Sequence, residues 1–310
     1  MIWYNDSSMA HPTVFFKPIH NESVEEISLL TKALFKKVVE KNSIELEKKI
    51  ALKIHTGEPG NITFIRPEHF NGVIDYLNQY GCKPYFVETN TVTGSRSKGE
   101  NHRIVAKQHG FTRIPFVIAD GNNGDEDICI PIPHGKHFSQ ARIASQLANQ
   151  NQIVVMSHFK GHIACGFGGA LKMLGIGFAS RNGKMDVHCK NYSSAMKTIE
   201  WNKGESLYWG DEFSERVAEY ASAAVNNKSY IYVNFMIHIT KDCDCDGSPM
   251  KPIYKDIGIF ASLDPIAIDK ACYDVLKKRE GKKPFTGEVI FDYAQSLGLG
   301  TQKYTLISSE

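Results

Sequence analysis

The chain has 310 residues, 42% of them hydrophobic, and 36 basic side chains against 34 acidic ones, for a net charge of +2. This is enough apolar material for one large domain or two lobes, and the charge balance, with no basic run, argues against a nucleic-acid partner. No apolar stretch approaches the roughly 18 residues that span a bilayer, and the first residues lack a secretion signal's basic-then-apolar order, so the expectation is a cytoplasmic protein with no membrane partner.

Residues 12–18 and 50–55 read as short buried strands flanking a helix from about Ser23 to Lys41, whose apolar residues recur at helical spacing. A second helix starts near Pro67, a residue suited to a first helical turn, and ends before Gly81. A strand at 83–89, a helix at 96–110 and a strand at 114–120 follow. The strand beginning at 151 runs straight into the motif SHFKGH. Beyond it come a helix at 211–227, strands at 229–240 and 256–262, and a helix at 264–280 opened by Asp264 as N-cap. Asp269, inside that last helix, has no such explanation. The alternation predicts an α/β fold, a mostly parallel sheet with helices on both faces. The irregular stretch 121–140 is one candidate lobe boundary, and 183–210 is another irregular stretch; the division expected is an N-terminal α/β lobe (1–148) and a C-terminal α/β lobe (149–310).

In such sheets ligands bind beyond the carboxyl ends of the strands. Four polar clusters sit there: the loop from His55 to Asn61, the run from Glu88 to Arg96, the segment from residue 157 onward, and His238 to Cys245. His55 and Glu58 are candidates for acid–base work, although Gly57, Pro59 and Gly60 also suit a plain turn. Asn90, Thr91 and Arg96 are candidates for binding an anion, the guanidinium matching a carboxylate or phosphate.

The stretch SHFKGHIACGFGGALKMLGIG (157–177) places His158 and His162 four apart, which on a helical turn would put both on one face. Its glycines, Gly168 and Gly169 among them, would let backbone N–H groups cradle a phosphate, with Lys160 and Lys172 close by; tight packing of a helix on a strand would explain them equally well. The seven cysteines form no CxxC pair, and only Cys243 and Cys245, in KDCDCDG, stand close together. Both point the same way along an extended chain. With His158 and His162 they would make four ligands for a single transition metal ion. His162 and Lys172 are also candidates for the catalytic chemistry.

The runs LKIHTGEPGNITFIRPE, FVETNT, GSRS, GFTRIPFVIADG, SHFKGHIACGFGGALKMLGIGFASRNGKMDVH, ITKDCDC and DIGIFASLDPIAIDKACYDV, in that order, resemble the domain of unknown function 362 family, whose members are often labelled uncharacterised iron–sulfur centre proteins. The resemblance implies His188, in the run ending MDVH, as the nearest substitute metal ligand. Many members carry a ferredoxin-like insert with two CxxCxxC runs after the segment matching MDVHCK. Here the corresponding stretch, 191–213, has no cysteine, so no ferredoxin-type cluster is expected. In arrangement, the early histidine loop with a nearby Arg-Pro and the later histidine before a glycine-rich lysine loop are similar to the nickel-pincer lactate racemase group. That likeness implies two α/β lobes with the site between them.

Three readings follow. The first is a metal-dependent enzyme acting on a small anionic substrate in the cleft, with Arg96, Lys160 and Lys172 binding the anion and His55 or His162 moving protons. The second is a redox or cofactor-assembly protein, in which Cys243 and Cys245 donate to a cluster or deliver a metal and a redox partner protein is a candidate partner. The third is a module that only captures an anionic or phosphate-bearing ligand. The expectation carried forward is the first.

Overall fold

A computed structural model describes residues 11–190, 207–225 and 228–308. Residues 191–206, most of the cysteine-free stretch 191–213, lie outside the described residues.

In chain order, β1 (Thr13–Pro18), α1 (Val24–Lys41) and β2 (Lys49–Lys53) are followed by a 3-10 turn at Pro67–Phe70 and α2 (Asn71–Gln79). Then come β3 (Lys83–Glu88), α3 (Gly99–Gln108), β4 (Phe116–Ile118), β5 (Asp127–Pro131), β6 (Gln140–Ala144) and α4 (Ser145–Ala148). The second half begins with β7 (Gln152–His158), β8 (Lys160–His162), β9 (Gly166–Gly168), α5 (Ala170–Gly175), α6 (Arg181–His188) and α7 (Gly210–Ala224). It ends with β10 (Ser229–Met236), β11 (Gly258–Ser262), α8 (Pro265–Glu280), α9 (Val289–Ser296) and β12 (Thr305–Ser308).

Local chemistry explains the helix starts. Ser23 accepts the Glu26 N–H while the Glu26 side chain takes the Ser23 N–H, a capping box that opens α1. Asp264 opens α8 as expected, accepting the N–H groups of Ile266 and Ala267 ahead of Pro265 at the first helical position.

Eight strands form one sheet in the order β12-β1-β11-β10-β7-β2-β3-β4. From β10 to β4 every pairing is parallel, and β11 alone runs against its neighbours. β7 is buried along its whole length and its alternate residues feed opposite cores. Ile153 and Val155 pack toward α5, α7 and α8, whereas Val154 and Met156 pack with the side chains of α1 and α2. The β2–β7 pairing joins strands from either side of residue 148, and β1, from the start of the chain, lies between β11 and β12, from its end.

Three details depart from the sequence reading. Part of the irregular stretch 121–140 enters an antiparallel hairpin of β5 and β6. His158 and His162 do not share a helical turn, because the chain leaves β7 and enters the β8–β9 hairpin, with Lys160 opposite Gly168 and His162 opposite Gly166. The strand expected to reach residue 240 ends at Met236, and His238 adopts a left-handed φ of 50°. Among the described residues, no helix is long and apolar enough to cross a membrane.

Candidate functional site

The loops that follow β2, β3, β7 and β10 converge at the carboxyl edge of the parallel strands on a cavity of about 510 Å³. His55, Arg96, His158 and Lys172, each near a strand end in the sequence, all line it. Two loops far apart in sequence build its floor. The backbone N–H of Glu58 donates to the Asp244 carbonyl at 2.9 Å, and the Asn61 amide donates to the Asp246 carbonyl at 3.1 Å. A Cβ on Gly60 would lie 2.2 Å from the Gly247 carbonyl oxygen, so the two backbones touch where a side chain would separate them.

This docking brings His55 Nε2 to 3.2 Å from Cys245 Sγ. His55, Cys243 and Cys245 place one ligand atom each within 4.8 Å of one another. The expected centre of His158, His162, Cys243 and Cys245 is corrected at His158, whose ring is occupied within the protein. Its Nδ1 meets the Asp244 carboxylate at 3.0 Å and its Nε2 meets the Ile237 carbonyl at 2.8 Å. Lys160 Nζ reaches the same carboxylate at 2.7 Å. Asp244 is fully buried, and His158 and Lys160 thereby clamp the loop that carries both cysteines. Burial works against its charge, but Lys160 and His158 outweigh it and hold the Asp244 carboxyl far below the usual range.

Cys243 is buried and Cys245 exposed. A hydrogen bond from Cys245 holds the Cys243 thiol well below its ordinary pKa; burial opposes this, and the charges of Lys172 and Lys160 and a hydrogen bond to His162 reinforce it. Cys245, the donor of the pair, is raised. Lys172 Nζ stands 3.4 Å from Cys243 Sγ. His162 lies beside Cys165, whose sulfur is 3.2 Å from Nδ1. Burial disfavours its proton, yet the Cys165 and Cys243 sulfurs prevail and raise it to about 9. In His55 burial prevails over the surrounding charges and lowers the imidazole to about 3.

Arg96 is fully buried, with Nε on Glu58 at 2.9 Å and Nη1 on Glu88 at 3.3 Å and Thr56 at 3.4 Å. Nη2 has no hydrogen-bond partner among the described residues. Glu88 also pairs with the buried Lys53. Glu58, expected to move protons, instead uses one carboxylate oxygen on Arg96 and the other on the Ser95 N–H, so it positions the guanidinium. Asn90 is likewise taken up away from the cavity: its amide donates to Asp120 at 3.1 Å and to the Gly121 carbonyl at 2.8 Å. Thr91 lines the cavity.

Gly168 and Gly169 also line it, but the start of α5 is no phosphate cradle. The buried Asp269 carboxylate accepts the N–H groups of Ala170 at 2.7 Å and Leu171 at 2.9 Å, and the Asn234 amide at 2.7 Å. A Cβ on Gly169 would lie 2.3 Å from that carboxylate, so the glycine serves close packing. Asp269 is the helix residue that the sequence left unexplained. Sequence reasoning missed Lys184, named Glu88 only as the start of a polar cluster, and gave His188 a secondary place; all three line the cavity. The signal was present: Lys184 and His188 are four apart in NGKMDVHCK, on one face of α6.

Two solved structures are similar to this chain. One is the lactate racemase apoprotein from Thermoanaerobacterium thermosaccharolyticum, with a TM-score of 0.41 and 13% identity, over 74% of this chain and 51% of that one. The other is a protein from Thermotoga maritima, with a TM-score of 0.47 and 9% identity, over 89% of this chain and 58% of that one. The chain thus spans about half the length of the racemase and 58% of the Thermotoga protein. No curated protein matches the sequence. The model of the domain of unknown function 362 family matches residues 50–274, the span that carries every residue of the cavity described above, and the chain belongs to that family.

Proposed function

We propose that this protein is a metal-dependent enzyme acting on a small anionic substrate within the cavity, with His55, Cys243 and Cys245 as the metal ligands. One observation carries the reading: three ligand atoms of borderline and soft character lie within 4.8 Å of one another in the wall of a cavity that cationic side chains also line. Tetrahedral coordination at about 2.0–2.3 Å places ligand atoms roughly 3.5 Å apart, so a small contraction closes the site. Three protein ligands leave a position open toward the cavity, the arrangement of a catalytic rather than a structural centre. The donor set fits a thiophilic transition ion such as zinc, iron or nickel. His55 Nε2 must be unprotonated to bind, which moves its proton to Nδ1 and gives up the 3.2 Å hydrogen bond from the Gly57 N–H.

When bound, such an ion supplies Lewis-acid polarisation of a substrate oxygen. Lys172, with no carboxylate partner among the described residues, holds the substrate's anionic group. His162, in the cavity wall, takes up or returns a proton. Glu58 and Glu88 fix Arg96 behind Cys245, so its role is to hold positive charge beside that sulfur.

The test is purification under anaerobic conditions without a nickel affinity step, followed by elemental analysis. One transition ion per chain is expected, and replacing Cys243 and Cys245 together by serine should remove it while the far-UV circular dichroism is retained. A folded double variant that keeps its full metal content would overturn the proposal.

A further inference from the structure

We infer that Lys184 is an amine nucleophile that forms an imine with a small aldehyde or ketone bearing an anionic group. The inference rests on the reading of the cavity as a substrate site and names the class of substrate; it does not require the metal. Lys184 lies on α6, is 5% exposed and lines the cavity.

The hydrogen bonding at its nitrogen suits the neutral amine. Nζ donates to Thr89 Oγ1 at 2.6 Å and to the Asn90 carbonyl at 2.5 Å. Thr89 spends its own hydroxyl hydrogen on the Gly177 carbonyl at 2.9 Å, so toward Lys184 it can only accept. Two acceptors satisfy both hydrogens of an amine and leave its lone pair free. An ammonium would carry a third N–H with no acceptor among the described residues, and no described carboxylate lies within ion-pair distance.

The surrounding charges agree with this. Burial lowers the lysine to about 8, against the attraction of Asp120, Glu88 and Cys245 and with the help of the Lys53 charge. Buried lysines of this kind serve as imine-forming nucleophiles. The other lysines that line the cavity are engaged differently: Lys160 is paired with Asp244, and Lys172 faces Cys243. In the reaction the Nζ lone pair adds to the carbonyl carbon to give a carbinolamine. The former carbonyl oxygen then leaves as water with both amine hydrogens, and a C=N bond remains. Lys172, which holds the anionic group in the reading above, would keep the carbonyl compound in place.

The experiment treats the full chain with glyoxylate, a small anionic aldehyde, and cyanoborohydride at pH 7, and maps N-carboxymethyl lysines by peptide mass spectrometry. An amine near pKa 8 has on the order of a hundredfold more neutral form at pH 7 than an ordinary lysine at about 10.4. Lys184 should therefore be labelled well ahead of the surface lysines, and urea-unfolded protein should lose that preference. Lys184→Arg, which keeps hydrogen-bond donors toward Thr89 and Asn90 but cannot form an imine, should lose the adduct while keeping its metal content. Adducts confined to surface lysines in the folded protein would overturn the inference. Labelling of Lys184 in a protein that binds no metal would overturn the metal reading and leave this one standing; metal binding with Lys184 unlabelled would do the reverse.

Discussion

At the start of α5 the Asp269 carboxylate takes the place that a bound anion would otherwise fill. It satisfies two backbone N–H groups at the helix start and the Asn234 amide, all buried. Removing the carboxylate strands donors that cannot reach water, at about 1–3 kcal/mol each. Asp269→Ala should therefore lower unfolding stability by roughly 2–4 kcal/mol in urea denaturation, allowing for partial relaxation. An effect under about 0.5 kcal/mol would mean that the capping role is wrong. The sequence held half of this: the GFGG run read as the approach to a helix, but its partner sits about a hundred residues on, inside another helix. A helical aspartate carries no local mark of what it faces.

Among elements, the β8–β9 hairpin supports the loop that bears Cys243 and Cys245. A Cβ on Gly161 would lie 2.0 Å from the Lys241 carbonyl oxygen, and the Gly161 N–H donates to the Thr240 carbonyl at 2.9 Å. Gly161→Ala must push backbone against backbone. Overpacking of this kind costs about 1–3 kcal/mol, and the displaced cysteine loop should weaken metal binding by at least about tenfold. Equilibrium denaturation and a competition titration with a chelator would measure the two effects. Unchanged metal affinity would separate the hairpin from the site. The α1 cap offers a local contrast: Ser23→Ala removes one half of the capping box and should cost about 1 kcal/mol, read as a shift in urea midpoint with no change in metal content. That cap is legible in SVEE, whereas Gly161 in FKGH gives no hint that residue 241 lies against it.

At the scale of the whole molecule, the imidazoles that burial depresses most, three histidines besides His55, set the acid limit. Burial is the leading cause in each, lowering His69 and His102 to about 4 and His188 to about 3, from 6.5. A histidine depressed in the folded state takes up its proton more readily when unfolded. Its contribution is present above about pH 6.5 and is lost as pH falls toward 4. Shifts of about 2.5 to 3.5 units correspond to roughly 3–5 kcal/mol for one such group. Asp269 acts in the opposite sense: burial raises it to about 6, so its contribution grows as pH falls from 6 to 4. Three groups outweigh one, and stability by urea denaturation should fall by several kcal/mol between pH 7 and pH 4.5. A flat profile across that window would show that these imidazoles are not held neutral in the folded protein.

By itself the sequence determined the alternation of strands and helices, the helix starts at Ser23 and Asp264, and the strand ends at which His55, Arg96, His158 and Lys172 meet. These follow from hydrophobic period and capping chemistry, which act over a few residues. Only the tertiary structure decided that β1 inserts between β11 and β12 and that β11 runs against its neighbours. The choice of pairing partner depends on chain segments some 250 residues apart, and no local period records it. The same holds for the site. The sequence supplied the two cysteines, and the docking of two loops chose which histidine stands beside them, bringing in His55 from 190 residues away while a buried aspartate took His158.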